Sequence, residues 1–194
     1  MGNRLFRIIL GIVIGLGVLI GGFFVLPGSV KYPMEEFFQK TFQKEKYAVA
    51  EYYQKQKVPK HDMTFGDMIA NCGKGSSAWV VETLDEAEDK STGHYFVHAY
   101  AYKVDISMEH ENGQENMLSF SQAAIEVSFK VEKLKDGSFV TKTYSVYIDE
   151  QNQTDFYRAQ ALNSMVAKAN GFINDNKQRE KNASTATTAT TEAK

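Results

Sequence analysis

The stretch QAAIEVSFKVEKLKDGSFVTKTYSVYI, residues 122–148, carries the clearest fold signal in this chain. Apolar and polar side chains alternate on both sides of Asp136-Gly137, a residue pair typical of tight hairpin turns. A two-residue turn at this pair sets one register, with these partners: Val127 with Val146, Phe129 with Tyr144, and Ile125 with Ile148. The stretch therefore predicts an antiparallel hairpin with one buried face and one wet face.

A second hairpin is predicted upstream, around Asn112-Gly113. Alternate residues of the segment 95–108 are Phe96, His98, Tyr100, Tyr102, Val104, Ile106 and Met108. A two-residue turn pairs His98 with Val127, Phe96 with Phe129 and Tyr100 with Ile125, so these aromatic residues are expected on the buried face. The wet face then holds Val97, Ala99 and Ala101. Met117, Leu118 and Phe120 fit this register less well, and we expect a bulge or splayed end there.

With Ser77–Leu84 as a further strand, the chain predicts a four-stranded antiparallel meander accompanied by helices. One long amphipathic helix is expected over 34–56, with an apolar stripe that includes Met34, Phe37, Phe38 and Phe42. We expect this stripe to pack on its own domain; the alternative is that Tyr32 and Phe37 touch lipid headgroups. A short helix follows Thr64, capped with Asp67, and a last helix follows Thr154, ended or weakened by Gly171.

The predicted fold class is α+β, with amphipathic helices packed on one face of the meander. This element order is broadly similar to cystatin-like or NTF2-like layouts, including periplasmic domains of secretion-system assembly proteins. The similarity is one of element order, without a shared motif, so it implies a layout and no site residues.

Residues Ile8–Leu26 form an unbroken apolar run that spans about 28 Å as a helix, close to the thickness of a bilayer core. The run is longer than the apolar part of a signal peptide, and no A-x-A-like site follows it, so we predict an uncleaved transmembrane helix. Arg4 and Arg7 favour a cytoplasmic N-terminus and an extracytoplasmic domain, which in a bacterium lies on the periplasmic side of the inner membrane. Close spacing of small residues predicts helix pairing within the membrane through Gly11, Gly15, Gly17 and Gly21, although glycine is common in membrane helices.

Three segments follow from these patterns: a cytoplasmic stub and membrane helix (1–28), an α+β domain (29–178) and a disordered Thr/Ala-rich tail (179–194). The net charge of −2 and the absence of a basic stripe argue against nucleic acid as a partner. The single cysteine, Cys72, excludes a disulfide within the chain. The expected partners are the lipid bilayer and either another protein or further copies of the chain.

No sequence motif for catalysis, a metal or a cofactor is present, so we predict no catalytic residue, no metal ligand and no cofactor. The best candidate for a ligand site is an aromatic cluster expected between the sheet and the helices. Its members are Trp79, His98, Tyr100, Tyr102 and Tyr144. The alternative is a tyrosine-rich core whose hydroxyl groups reach the rim.

Three functions remain open from the sequence. The preferred one is a single-pass membrane-anchored envelope protein whose exported domain is a protein-interaction or assembly module. The second is a module that binds lipid or a small apolar ligand in the aromatic cluster. The third is a membrane-tethered hydrolase, which requires His98, His94 or Cys72 to converge with a carboxylate in a cleft.

Overall fold

The structure, a computed structural model, describes residues 25–85, 92–112 and 117–191, apart from the side chains of Asp85 and of residues 183–191. These residues form an α+β fold with four helices and one five-stranded antiparallel sheet. The helices are α1 (Gly28–Phe42), α2 (Lys44–Gln54), α3 (Phe65–Asn71) and α4 (Asp155–Thr191). The strands, in sheet order, are β1 (Ser77–Asp85), β2 (Gly93–Met108), β3 (Leu118–Lys133), β4 (Phe139–Ile148) and β5 (Gln151–Asn152). The α+β meander is confirmed, and the two-residue β5 extends it.

The apolar run lies outside the described residues, except for Val25 and Leu26. The same is true of Gly11, Gly15, Gly17 and Gly21, for which helix pairing was predicted. Among the residues that the structure describes, no helix is long and apolar enough to cross a membrane. Gly113 of the first predicted turn also lies outside them.

The β3–β4 hairpin has the three predicted residue pairs, Ile125 with Ile148, Val127 with Val146 and Phe129 with Tyr144. The predicted two-residue turn is wrong, however, because Leu134 N–H donates to Ser138 O and the loop has three residues. Gly137 occupies its last position with a φ of 83°, where an L side chain is strained. A register shift between Lys130 and Val131 compensates for the extra loop residue, so the pairing farther from the turn is the predicted one.

The predicted register of β2 against β3 is wrong by one residue. Ala99, and not His98, lies opposite Val127, and Val97 lies opposite Phe129. A slip of one residue exchanges the two faces of a strand, so Val97, Ala99 and Ala101 are buried in the core and His98, Tyr100 and Tyr102 lie on the opposite face.

A double bulge explains why the alternation in β2 was misleading. Lys103 in β2 and Gln122 in β3 both have positive φ, and the register shifts on either side of Val104. Beyond this point Val104, Ile106 and Met108 are core residues although their positions are even-numbered. The irregularity expected near Leu118 and Phe120 is therefore present.

Helices α2, α3 and α4 cover one face of the sheet and form the main core with it. Phe65, Met68, Ile69 and Cys72 are buried, and Thr64 caps α3 as predicted, by accepting a hydrogen bond from Asp67 N–H. The helix α4 continues past Gly171 to Thr191, so the structure has helical backbone where the sequence predicts a disordered tail. The described side chains beyond Ile173 are mostly exposed.

The single long helix predicted over 34–56 is wrong, because the chain breaks at Gln43, whose φ is −128° and ψ 48°. The break lets α1 and α2 bury different faces. Helix α2 buries Tyr47, Val49, Ala50 and Tyr53 in the main core, whereas the sole buried residue of α1 is Gln39. The predicted burial of Met34, Phe37, Phe38 and Phe42 is therefore also wrong.

Candidate functional site

Helix α1 covers the outer edge of β1 through the side chain of Gln39. The Gln39 amide accepts a hydrogen bond from Val81 N–H at 2.9 Å and donates one to Val81 O at 3.1 Å. These are the main-chain groups that an additional strand would otherwise pair with. Gln39 is 2% exposed, so an apolar side chain in its place would leave two buried polar groups without partners.

The start of α1 is also tied to β1, through a proline. Pro33 lies inside α1 and has no N–H to donate to the carbonyl of Ser29, four residues earlier. The Ser76 hydroxyl, next to the first residue of β1, donates to that carbonyl at 2.6 Å. The helical bond that Pro33 removes is thus replaced by a bond between the helix and the body of the domain.

Aromatic stacking fixes the start of α1 over the face of the sheet that α2–α4 leave open. Tyr32 stacks on Tyr100 with ring centroids 3.9 Å apart and parallel planes. Gly28 lies so close to Tyr102 that an added Cβ would be 2.6 Å from its hydroxyl oxygen. Burial raises the pKa values of Tyr100 and Tyr102, with contributions from Glu126 and Tyr32.

The inner side of α1 also contacts α2. The Tyr47 hydroxyl donates to a Glu36 carboxylate oxygen at 2.6 Å and accepts from Gln54 at 2.9 Å. Burial raises the pKa of Tyr47 strongly, and the hydrogen bond to Glu36 adds to this rise. Helix α1 therefore has polar and aromatic contacts to the domain along most of its length.

The outer side of α1 is apolar and exposed. Its side chains follow helical spacing and form what we call the α1 stripe: Val30, Met34, Phe37, Phe38 and Phe42. Phe37 and Phe42 are each 69% exposed. Single exposed apolar residues are common, but a contiguous row of them marks a surface that contacts a protein or a membrane. The sequence predicts Met34, Phe37, Phe38 and Phe42 as one helical stripe but buries it against the domain, whereas the structure exposes it.

A groove of about 910 Å³ runs beside the stripe. Its walls include Tyr32, Met34, Phe38 and Gln39 from α1 and Glu82 from β1. The groove is mainly apolar, and its charged lining residues are Lys31, Glu35 and Glu82. It lies outside the layer between the sheet and α2–α4, where the sequence placed an aromatic pocket.

The structure separates the five residues of the predicted aromatic cluster. Trp79 is in the main core, and Tyr144 packs against that core under the helices. Arg158 lies over the Tyr144 ring at 4.7 Å. His98, Tyr100 and Tyr102 line the opposite face as a ladder of rings along β2. The pocket predicted from all five residues is therefore not formed. His98, Tyr100 and Tyr102 lie on the face of the sheet opposite to Trp79 and Tyr144.

His98 joins three strands on the open face of the sheet. Its Nδ1 donates to the Glu126 carboxylate on β3 at 2.7 Å, and Ser128 Oγ lies 3.3 Å from the same nitrogen. Its Nε2 is buried, has no hydrogen-bond partner among the described residues, and lies 3.8 Å from a Glu82 oxygen on β1. A catalytic histidine uses its two nitrogens for the nucleophile and the carboxylate separately, whereas Ser128 and Glu126 share one nitrogen here.

Cys72 and the histidines do not converge. Cys72 is in the main core, and burial raises the pKa of its thiol to about 12. The described residues contain no group of three or more metal-ligating side chains able to hold an ion. Of the convergences that a hydrolase requires, the described residues show the contact between His98 and its carboxylates, without the Cys72 thiol beside it.

Comparisons with protein-family models, curated proteins and solved structures found no match to this chain.

Proposed function

We propose that this chain is a single-pass membrane-anchored protein whose α+β domain acts as a protein-interaction or assembly module at the extracytoplasmic surface. The observation that carries the proposal is the way α1 connects the domain to the apolar run. Helix α1 begins at Gly28, two residues after the run ends at Leu26, and its inner side is bonded to β1 and α2.

This connection supports an assembly role because the link between the apolar run and α1 is short. Gly/Ser-rich linkers let a tethered domain sample many orientations, whereas a helix bonded to the fold holds one. A domain held in this way presents the same surface to any neighbour in the membrane plane. Such a presentation suits a scaffold, whose partners must meet it in a defined orientation.

The membrane part of the proposal is tested by fractionation of the full chain from cells. Alkaline carbonate releases proteins that are bound at the surface and leaves spanning proteins in the pellet. We expect the intact chain, including its N-terminus by mass spectrometry, in the pellet. Release of the chain, or a mature form that lacks the first thirty residues, would contradict the anchor.

The interaction part is tested by photo-crosslinking in native membranes. One crosslinking residue is placed on each of three exposed surfaces: at Lys130 on the open sheet face, Glu51 on α2 and Lys168 on α4. We expect one surface to yield a single adduct of defined mass, which a charge reversal beside the crosslinker abolishes. Adducts from all three surfaces alike, or from none, would contradict a specific assembly surface.

A second function, binding of a lipid or another small apolar ligand, is favoured by the groove beside the α1 stripe. Its apolar walls and few charged groups, which include Glu35 and Glu82, resemble the general composition of ligand sites. Native mass spectrometry of the full chain in detergent should show a bound adduct that Phe38→Ser removes. The matched control is Phe172→Ser, an exposed phenylalanine on α4, which should keep the adduct.

A further inference from the structure

We propose that the α1 stripe lies in the lipid–water interface, so that α1 rests along the membrane surface and sets the orientation of the domain. This inference rests on the membrane anchor of the proposed function. It assigns to the bilayer a surface that the fold itself leaves uncovered.

The stripe cannot turn inward without breaking the contacts on the other side of the helix. Gln39 makes two hydrogen bonds with Val81, and Tyr32 stacks on Tyr100. Because residues on one side of an α-helix stay on that side, these contacts direct Phe37, Phe38 and Phe42 away from the domain. The described part of the domain therefore offers no cover for the stripe.

The short connection to the apolar run places α1 beside the membrane. Leu26 ends the run, and only Pro27 separates it from Gly28 at the start of α1. Two residues reach at most about 7 Å, so a run that spans the bilayer leaves the start of α1 within the headgroup layer. A helix with one apolar side at this depth buries that side among the upper acyl chains.

The size of the stripe favours lipid over a second copy of the chain. Helix α1 has 15 residues. At 1.5 Å per residue and a diameter of about 10 Å, its footprint is roughly 220 Å². A stable protein interface buries about 800 Å² on each partner, several times this area. Lipid has no such minimum, because each apolar side chain transferred from water contributes independently.

Exposed lysines agree with this placement. Lys40 near the end of α1 and Lys44 at the start of α2 are both exposed. Basic side chains at the border of an apolar helix face are attracted to anionic headgroups. The ion pair of Lys40 with Glu36, at 2.9 Å, leaves the Lys40 side chain half exposed.

The test uses the full chain reconstituted in vesicles of phosphatidylcholine and phosphatidylglycerol. Phe37→Cys and Phe38→Cys are labelled with an environment-sensitive fluorophore, and quenching is compared between nitroxide-labelled acyl chains and aqueous iodide. Phe172→Cys is the matched control, since Phe172 is also an exposed phenylalanine, on α4. Cys72 stays in place because it is buried, and the unsubstituted chain gives the background labelling.

We expect the labels at positions 37 and 38 to be quenched several-fold more by the lipid nitroxide than the label at position 172, with the reverse order for iodide. Equal iodide quenching at all three positions in membrane-inserted protein would overturn the lipid placement and leave the anchor intact. Protection from both quenchers, with disulfide formation between two copies at position 37, would overturn it in favour of a dimer. A chain that fails to insert into the vesicles overturns the anchor and this inference together.

Discussion

At the scale of single residues, the most consequential side chain of the described structure is Gln39. It is the one buried residue of helix α1, and its side-chain amide pairs with the main chain of Val81. A glutamine amide has a donor and an acceptor at a spacing that matches one peptide group, so it imitates one step of a neighbouring strand. In this way β1 keeps an edge that another strand cannot extend at this point.

We predict that Gln39→Leu lowers the free energy of unfolding by about 2–3 kcal/mol, because it leaves the N–H and C=O of Val81 buried without partners. Urea unfolding of the full chain in one detergent measures this change. Gln43→Leu is the matched control, because the Gln43 side chain is exposed and makes no capping hydrogen bond. It should change stability by less than about 0.5 kcal/mol. Equal effects of the two substitutions would contradict the proposal that Gln39 pairs with the edge of β1.

At the scale of elements, the double bulge between β2 and β3 determines which side chains the sheet buries. Lys103 and Gln122 have positive φ, and Asp105 stabilises the bulge by accepting hydrogen bonds from Gln122 N–H and Ser121 Oγ. The bulge exchanges the two faces of β2, so the core residues are odd-numbered before Lys103 and even-numbered after it. The face of His98, Tyr100 and Tyr102 is therefore a property of the hairpin as a whole.

We predict that Gln122→Gly raises the free energy of unfolding by up to about 1 kcal/mol, since glycine adopts positive φ without the cost that an L side chain pays. The same change at Lys130, a β3 residue whose φ is not positive, should lower it by roughly 0.5–1 kcal/mol. Thermal or urea unfolding of both variants measures whether each substitution raises or lowers the free energy of unfolding. A loss of stability in both would show that Gln122 is not strained in the native bulge.

At the scale of the whole molecule, the burial of tyrosine hydroxyls makes stability depend on alkaline pH. Burial raises the pKa values of Tyr47, Tyr53, Tyr100 and Tyr102 above their ordinary value of 10. Between that value and the raised ones, the unfolded chain releases protons that the folded chain retains. The folded state then binds more protons than the unfolded state, so the free energy of unfolding falls as pH rises above about 10.

We predict that Tyr100→Phe makes this alkaline loss less steep by about 1.4 kcal/mol per pH unit, the value for one proton. The ring and its stacking on Tyr32 are retained, so the variant should resemble the unsubstituted protein below pH 9 apart from the lost hydroxyl. Urea unfolding at a series of pH values from 7 to 11 measures both slopes. Identical slopes would show that Tyr100 ionises as readily in the folded protein as in the unfolded chain.

Several features of the fold were predictable because they depend on local sequence. The pairs around Val127 and Val146 follow from strict alternation, and the cap at Thr64 follows from the Asp67 three residues later. The candidate site was less predictable. The α1 stripe is visible as a helical pattern, but that pattern is the same whether the apolar side faces a core or a membrane.

The sequence by itself determined the α+β class, the confirmed β3–β4 pairs, the short capped helix and the apolar run, because each depends on residues close together along the chain. Only the tertiary structure decided the face of Tyr100, the break at Gln43 and the outward direction of the α1 stripe. A single bulged residue reverses the faces of a strand. The contacts on one side of a helix determine which side faces the domain. Two contacts orient α1: the hydrogen bonds of Gln39 with Val81 on β1 and the stacking of Tyr32 on Tyr100 of β2. Each joins residues more than 40 positions apart in the sequence.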